Sequence, residues 1–288
     1  MAPQTLPPRS EPLARRLVLV VGFAALAFVL TAVVGGIWSA LLTINLATSP
    51  AIPWAVVVMA LLLWLLWRYL GGAGWPRGTA EARRQYLRAR GVPGRNFLWA
   101  VGAGLLAIVA LGGLWIVLFQ LAHLSPTRAL PDSSKYPLVT VALALVMGSL
   151  VGAVAEEAAF RGYFQGLLEG TVGGVAAILI TALVMAPEHA QTQGFVWPTL
   201  LFYIVVDVML GATAYFTQSI LPGIVTHGSG LLVFFTLVWP GDVIRHIVGG
   251  GTTELWFWLH GAQTLVFAVL ATLAFIHLAR ISKQPPGA

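Results

Sequence analysis

The chain has 288 residues, of which 58% are hydrophobic and 9% charged, and it contains no cysteine. A water-soluble domain carries about 25% charged residues, so this composition excludes an ordinary globular protein and makes lipid the solvent for most of the chain. The missing cysteines exclude a disulfide framework, a thiol nucleophile and a thiolate metal site. The formal charge of +6 sits at the ends of apolar runs, which points to a membrane surface and away from nucleic acid.

About 20 apolar residues cross a bilayer as a helix, and eight such stretches follow one another here. They cover roughly 17–46, 51–70, 97–121, 137–168, 172–190, 196–218, 220–239 and 254–281. The expectation is an all-α protein, a polytopic membrane bundle of about eight transmembrane helices. The first run is about twice as long as a secretory apolar core and no small-x-small cleavage site follows it, so it reads as a retained anchor. Pro222, Gly223, Gly228 and Gly230 make the seventh the weakest helix of the set. No internal repeat is visible, including the inverted kind found in transporters.

The basic residues set the orientation. Arg9, Arg15 and Arg16 precede the first span, Arg68, Arg77, Arg83, Arg84, Arg88, Arg90 and Arg95 cluster between the second and third, and Arg280 and Lys283 follow the eighth. An even number of spans puts all three groups on one side, and the positive-inside rule makes that side the cytoplasm, with both termini there. Arg128, Lys135 and Arg245 fall outside. Trp197, Trp239, Trp256 and Trp258 then mark the outer interface, with Trp64, Trp67, Trp75 and Trp99 near the inner one. The segment 77–95 reads first as an orientation signal; the other reading is an amphipathic surface helix for anionic lipid or an acidic substrate tail. The organisation is a cytoplasmic segment 1–16, accessory helices 17–136 with a basic cytoplasmic loop at 71–96, a core 137–240, and an outer loop, last helix and short tail over 241–288.

Ten acids exist in the whole chain, and Glu156, Glu157, Asp207 and Glu188 fall within or at the end of spans. A carboxylate at mid-membrane costs about 2.5–3.5 kcal/mol on insertion scales, so such groups are functional candidates by default. Arg161, His189 and His227 qualify in the same way. His123, His246, His260 and His277 read as loop or interfacial residues. With about 1.5 Å of rise per residue, Glu156 and His189 lie roughly 18–22 Å above the turn near 170–174, and Asp207 and His227 lie about 12–17 Å from the turn near Gln218. Four polar groups from four consecutive spans thus converge near one depth. Gly148, Gly152 and Glu156 share one stripe, with Ser149, Ala153, Glu157 and Arg161 on the next, and small residues at this spacing turn both stripes inward. Glu157 and Arg161, at i and i+4, are expected to pair as ions and to leave Glu156 for chemistry. A glutamate with two histidines can complete a zinc site with an open fourth position, or orient a water against a carbonyl.

The run Glu156-Glu157-Ala158-Ala159-Phe160-Arg161, followed by Gly162, resembles the EExxxR motif of the CPBP family, the CAAX-protein and bacteriocin-processing intramembrane proteases also called the Abi family. His189 is similar to the histidine of the family's FxxxH motif, with Met185 in place of Phe. His227, at the end of Ser219-Ile220-Leu221-Pro222-Gly223-Ile224-Val225-Thr226-His227, resembles the histidine of HxxxN or HxxxD. The resemblance covers about residues 140–237. It implies that Glu156 activates the attacking water, that His189 is its partner or a metal ligand, and that His227 is a second ligand or an oxyanion donor. Glu156, His189 and His227 satisfy either a Zn2+ scheme or a metal-free glutamate scheme. The implied partner is a peptide or protein substrate in or at the bilayer, prenylated in the CAAX case, and the implied location is the cytoplasmic membrane of a prokaryote. One departure stands out: the family's Asn or Asp four residues after the third-motif histidine, which helps to hold the carbonyl or oxyanion, is Leu231 here. Ser229, Thr226 or Asp207 is then expected to take over that role. Asp207 alternatively holds His227 in one tautomer.

Other intramembrane protease classes fit badly. There is no HExxH, only one aspartate well inside a span, and no GxSG run, since Gly228-Ser229-Gly230 follows a histidine where the first glycine belongs. The rival from another class is a non-catalytic scaffold or a proton-coupled transporter with the same polar core.

Overall fold

The computed structural model describes residues 13–122, 133–238 and 255–283, and every regular element among them is helical. In chain order these are α1 (Leu13–Thr48), α2 (Trp54–Leu70), α3 (Ala80–Leu87), α4 (Gly94–Leu121), α5 (Leu138–Glu156), α6 (Gln165–Val172), α7 (Gly174–Gln193), α8 (Trp197–Thr217), α9 (Leu221–Val233) and α10 (Leu255–Ile281). A wider π-helical segment, Glu157–Phe164, runs α5 into α6, and a second one, Phe234–Val238, extends α9. Among the described residues, six helices are long and apolar enough to cross a membrane: Val18–Thr48, Gly94–Leu121, Leu138–Val172, Trp197–Thr217, Leu221–Val238 and Leu255–Ile281. Trp54–Leu70 and Gly174–His189 are shorter apolar helices. The protein is an integral membrane protein, an all-α polytopic bundle, and each of the eight stretches expected from sequence has its helix. Arg9, His123, Arg128, Trp239, Arg245 and His246 lie outside the described residues.

The outward faces are apolar, with Leu138 80% exposed and Val175 73% exposed, as lipid-facing positions should be. With little hydrophobic drive between helices in lipid, close approach depends on small residues. Gly113 brings α4 against α10: a Cβ there would stand 2.6 Å from Thr264 Oγ1 and 2.8 Å from the His260 carbonyl. Gly104 makes room in α4 for Thr226 of α9, and Gly174 makes room in α7 for the Tyr215 ring of α8. Gly228 of α9 lies against Ala153 of α5. The glycines that weaken α9 as an isolated helix are therefore what lets it pack, and Pro222 falls in its first turn, where no hydrogen bond is lost.

Two turns position the core. Asn45 closes the α1–α2 corner, its amide donating to the carbonyls of Ser49 (2.8 Å) and Ile52 (2.9 Å) while its oxygen accepts from the Ala55 N–H (2.9 Å). Gly173, with φ +86°, makes the sharp turn between α6 and α7, a conformation open mainly to glycine. α1 packs across the π-helical segment, where Phe28 meets Phe160 edge-on at 5.2 Å within a cluster that includes Ala27, Phe164 and Met185.

The basic loop differs from the expectation. Arg83 and Arg88 are buried, at 7% and 6% exposure. Arg83 donates to the carbonyls of Tyr69 (2.6 Å) and Ala73 (3.0 Å), capping the end of α2, and lies over the Tyr69 ring. Arg88 donates to Glu169 Oε1 (2.9 Å) and to the carbonyls of Arg161 (3.3 Å) and Ala214 (3.1 Å). Both side chains are turned inward and satisfy backbone carbonyls at the end of α2, in the π-helical segment and in the last turn of α8. His260 lies 3.1 Å from Gln263 Oε1 and stacks on Trp256, and His277 packs on Trp99 at 4.3 Å between ring centres.

Candidate active site

The site is built where α5 passes into the π-helical segment. Hydrogen bonding of the i to i+5 type widens the helix at Glu157–Phe164, a distortion that recurs at functional sites. Glu156 is the last residue before it, and Glu157 and Arg161 are inside it. Opposite stand His189 from α7, Asp207 from α8 and His227 from α9.

Six charged or titratable side chains meet here and divide by exposure. Glu156 and His189 keep 17% of their side-chain surface and His227 keeps 7%, whereas Glu157 and Arg161 keep 0% and Asp207 1%. The first three border accessible space, and the second three are sealed behind them. In the outer group, Glu156 Oε2 lies 3.6 Å from His227 Nε2 and 4.0 Å from His189 Nε2. In the inner group, Arg161 Nη1 lies 3.6 Å from Glu157 Oε1 and Arg161 Nη2 donates to Asp207 Oδ1. His227 joins the groups, its Nδ1 3.1 Å from Glu157 Oε1. An ionised carboxylate only accepts, so Nδ1 carries the proton and Nε2 is the atom turned to Glu156.

The Glu157–Arg161 ion pair expected from their spacing is present, and Glu157 has a second partner in His227. Asp207 departs from the sequence reading. It does not hold His227 and pairs with Arg161, because α8 meets the π-helical segment at that level. Thr226 is turned toward Gly104 of α4, so neither residue takes the position of the family's Asn or Asp. That position is filled by leucine: a Cβ on Gly152 would meet Leu231 Cδ1 at 2.9 Å and Glu156 Oε1 at 3.6 Å. The methionine that replaces Phe in the second motif has a partner, since Arg161 Nη1 donates to Met185 Sδ at 2.9 Å.

Sequence reasoning missed three contacts. Tyr203 of α8 stacks on the His189 ring, with 4.0 Å between centres and 12° between planes. Tyr203, Asp207 and Gly211 follow at i, i+4 and i+8, so the spacing from Asp207 could have marked Tyr203 as inward-facing. Glu188 Oε1 accepts from Thr31 of α1 (2.9 Å), tying the accessory helix to the residue beside His189. Gly223 gives Glu157 its space, since a Cβ there would stand 2.5 Å from Glu157 Oε2.

Glu156, His189 and His227 have the donor types of a catalytic zinc set. Tetrahedral ligation at about 2.0–2.1 Å brings donor atoms to roughly 3.3 Å from one another. The separations of 3.6 and 4.0 Å exceed this, and among the described residues no three His, Asp or Glu side chains are spaced to hold a metal ion. The arrangement sets a carboxylate facing two imidazoles, with a sealed charge network behind them.

Comparison with protein families gives one match. Residues 137–233 match the family described as type II CAAX prenyl endopeptidase Rce1-like, which is the CPBP and CAAX protease family. The likeness is that of residues 137–233 to the Rce1-like family. The matched region begins just before α5 and ends with α9, so it contains all six polar residues of the site, while α1–α4 and α10 lie outside it. No curated protein and no solved structure matches the chain. The family that this segment resembles is one of CAAX-type intramembrane endopeptidases.

Proposed function

We propose that the chain hydrolyses a peptide bond of a membrane-associated or prenylated substrate with a water activated by Glu156 and supported by His189 and His227. The observation that carries this reading is the placement of Glu156 Oε2 opposite the Nε2 atoms of both histidines, at 3.6 and 4.0 Å. These distances are too long for direct hydrogen bonds and leave the three groups facing a gap into which a water or carbonyl oxygen can be drawn. Glu156 takes a proton from the water as its oxygen attacks the scissile carbonyl carbon. The carbonyl oxygen gathers negative charge and is stabilised by an imidazole N–H, that of His227 in its doubly protonated form. Glu156 then returns the proton to the amide nitrogen as the C–N bond breaks, leaving a carboxylic acid and an amine.

The same reading puts the protein in the cytoplasmic membrane of a prokaryote with both termini inside, supported by the basic groups at the ends of α1, α2 and α10. Leu231, which reaches the space above Gly152 that Glu156 also borders, is the observation that favours the other reading, a scaffold or proton-coupled transporter with an inactivated core.

The test is cleavage of an internally quenched, prenylated CAAX peptide by the purified protein in lipid. Wild type is expected to cleave it, and Glu156→Gln, folded and present at wild-type level, is expected to lose at least about 10³-fold in kcat. Cleavage that survives this substitution overturns the assignment, and a wild type inert to every membrane peptide supports the scaffold. Elemental analysis with and without His189→Ala addresses the metal. The side-chain scheme expects no stoichiometric zinc and no loss of activity to a chelator, and zinc that disappears in His189→Ala overturns it.

A further inference from the structure

We infer that Tyr203 is a positioning residue for His189, acting through the face of its ring and not through its hydroxyl; this rests on the proposed role of His189. Pro187 lies inside α7 two residues earlier and lacks the N–H that the Leu183 carbonyl would accept, so the turn carrying His189 is short of one hydrogen bond. His189 Nε2 stands 4.0 Å from Glu156 Oε2, beyond hydrogen-bonding reach. The nearly parallel Tyr203 ring, 4.0 Å away and inclined by 12°, fixes the imidazole plane, because rotation about the His189 side chain would break the overlap.

Tyr203 is itself held by packing. Phe202 meets it edge-on at 5.2 Å, and Trp115 of α4 does so at 6.4 Å. Trp115 is 1% exposed, stacks on Phe119 at 4.0 Å, and meets Phe202 and Phe234 at 4.8 and 5.0 Å. An aromatic cluster drawn from α4, α8 and the end of α9 thus reaches the site through one ring. α8 thereby makes two contacts from one face: Tyr203 sets the histidine on α7, and Asp207 four residues on secures Arg161 in the π-helical segment. Neither the EExxxR motif nor the two histidine motifs include residue 203.

The test compares Tyr203→Phe with Tyr203→Leu in the purified protein, using two readouts. The first is peptide cleavage. Leucine is expected to lower kcat by about 10–100-fold with KM within about twofold, because a small misplacement of an acting group costs rate more than binding; phenylalanine is expected to stay within about twofold of wild type. The second does not depend on activity: carbethoxylation of His189 by diethyl pyrocarbonate, read by peptide mass spectrometry against His227. Leucine is expected to speed modification of His189 several-fold relative to His227, and phenylalanine to leave it unchanged. If Tyr203→Leu lowers the level in the membrane, Tyr203→Met, unbranched and of similar reach, gives the same comparison. Unchanged kinetics and unchanged modification in the leucine or methionine variant overturn the inference, as does a phenylalanine variant that falls as far as leucine. Should wild type cleave nothing, the proposed function fails while the modification pattern still decides whether Tyr203 holds His189.

Discussion

His227 and Glu157 face each other from α9 and the π-helical segment, with the imidazole Nδ1 3.1 Å from the carboxylate Oε1. The carboxylate is fully buried, and the same oxygen lies 3.6 Å from Arg161 Nη1. One buried acid therefore sets the ring orientation of a site histidine and is itself fixed by a buried cation. Partners of this kind behind a working histidine are worth about 10–100-fold in activity.

Glu157→Ala is accordingly expected to lower kcat for peptide cleavage by about 10–100-fold with little change in KM. Glu157→Gln should fall between, because its amide oxygen can still accept from Nδ1–H but carries no charge for Arg161. A Glu157→Ala protein that keeps kcat within twofold, at wild-type level in the membrane, would show that His227 needs no such partner.

Arg161 stands between two carboxylates, Glu157 and Asp207, with none of the three more than 1% exposed. Removing the cation leaves two buried acids without their shared partner, so Arg161→Met is expected to cost about 3–5 kcal/mol in thermal or denaturant unfolding in detergent. Asp207→Leu alone should cost less, since Glu157 still neutralises Arg161. The double variant Arg161→Met with Asp207→Leu should be more stable than Arg161→Met, with a coupling energy of about 0.5–3 kcal/mol. Strict additivity of the two single effects would mean that the pair is not energetically joined.

These contacts show which parts of the site are legible in a sequence. The six polar residues stood out because lipid makes each of them costly, and at 9% charge there is little background to hide them. The glycine stripe of α5 was legible for the same reason that it packs: Gly152 admits Leu231 of α9. Spacing did not say which helices meet at which height. Asp207 was therefore read as an oxyanion residue or a partner of His227, where the structure pairs it with Arg161, and Arg83 and Arg88 were grouped with the other basic residues of the loop, where the structure buries both against backbone carbonyls. Tyr203 was passed over because an aromatic residue on an apolar helix reads as core, and only its spacing of four from Asp207 hinted that it faces the site. The π-helical segment has no composition of its own to announce it, although the Glu157–Arg161 pair inside it was legible from spacing.

Leu231 offers a gain-of-function test. Its Cδ1 and Glu156 Oε1 converge on the same point above Gly152, at 2.9 and 3.6 Å from a Cβ placed there. Leu231→Asn would put an amide donor beside Glu156, and a single donor to a developing oxyanion is worth about 10²–10³ in rate. A rise in kcat of about tenfold or more is expected, together with a loss of about 1–3 kcal/mol in stability for an amide buried without full pairing. A fall in kcat would mean that leucine is itself part of the substrate fit and that the carbonyl is held elsewhere.

Arg88 links the basic loop between α2 and α4 to the site's foundation. Its guanidinium reaches Glu169 Oε1 and the Arg161 and Ala214 carbonyls, while its own carbonyl accepts from the Ile220 N–H at 3.1 Å. The segment before α4, α6, α8 and the start of α9 are thus tied at one residue outside the Rce1-like match. Glu169 keeps a second partner in Gln165 Nε2 (2.9 Å), so Arg88→Ala is expected to cost about 3 kcal/mol, the low end for breaking a buried pair. Arg88→Lys should recover only part of this, because an ammonium cannot meet three divergent acceptors in one plane. The backbone adds a separate effect. Arg88 has φ +55°, where a Cβ costs about 1–2 kcal/mol, so Arg88→Gly should be more stable than Arg88→Ala by about that amount even though both lose the guanidinium. Thermal unfolding of the three variants in one detergent measures this order. An alanine variant as stable as the glycine variant would show that the left-handed turn relaxes once its anchor is gone.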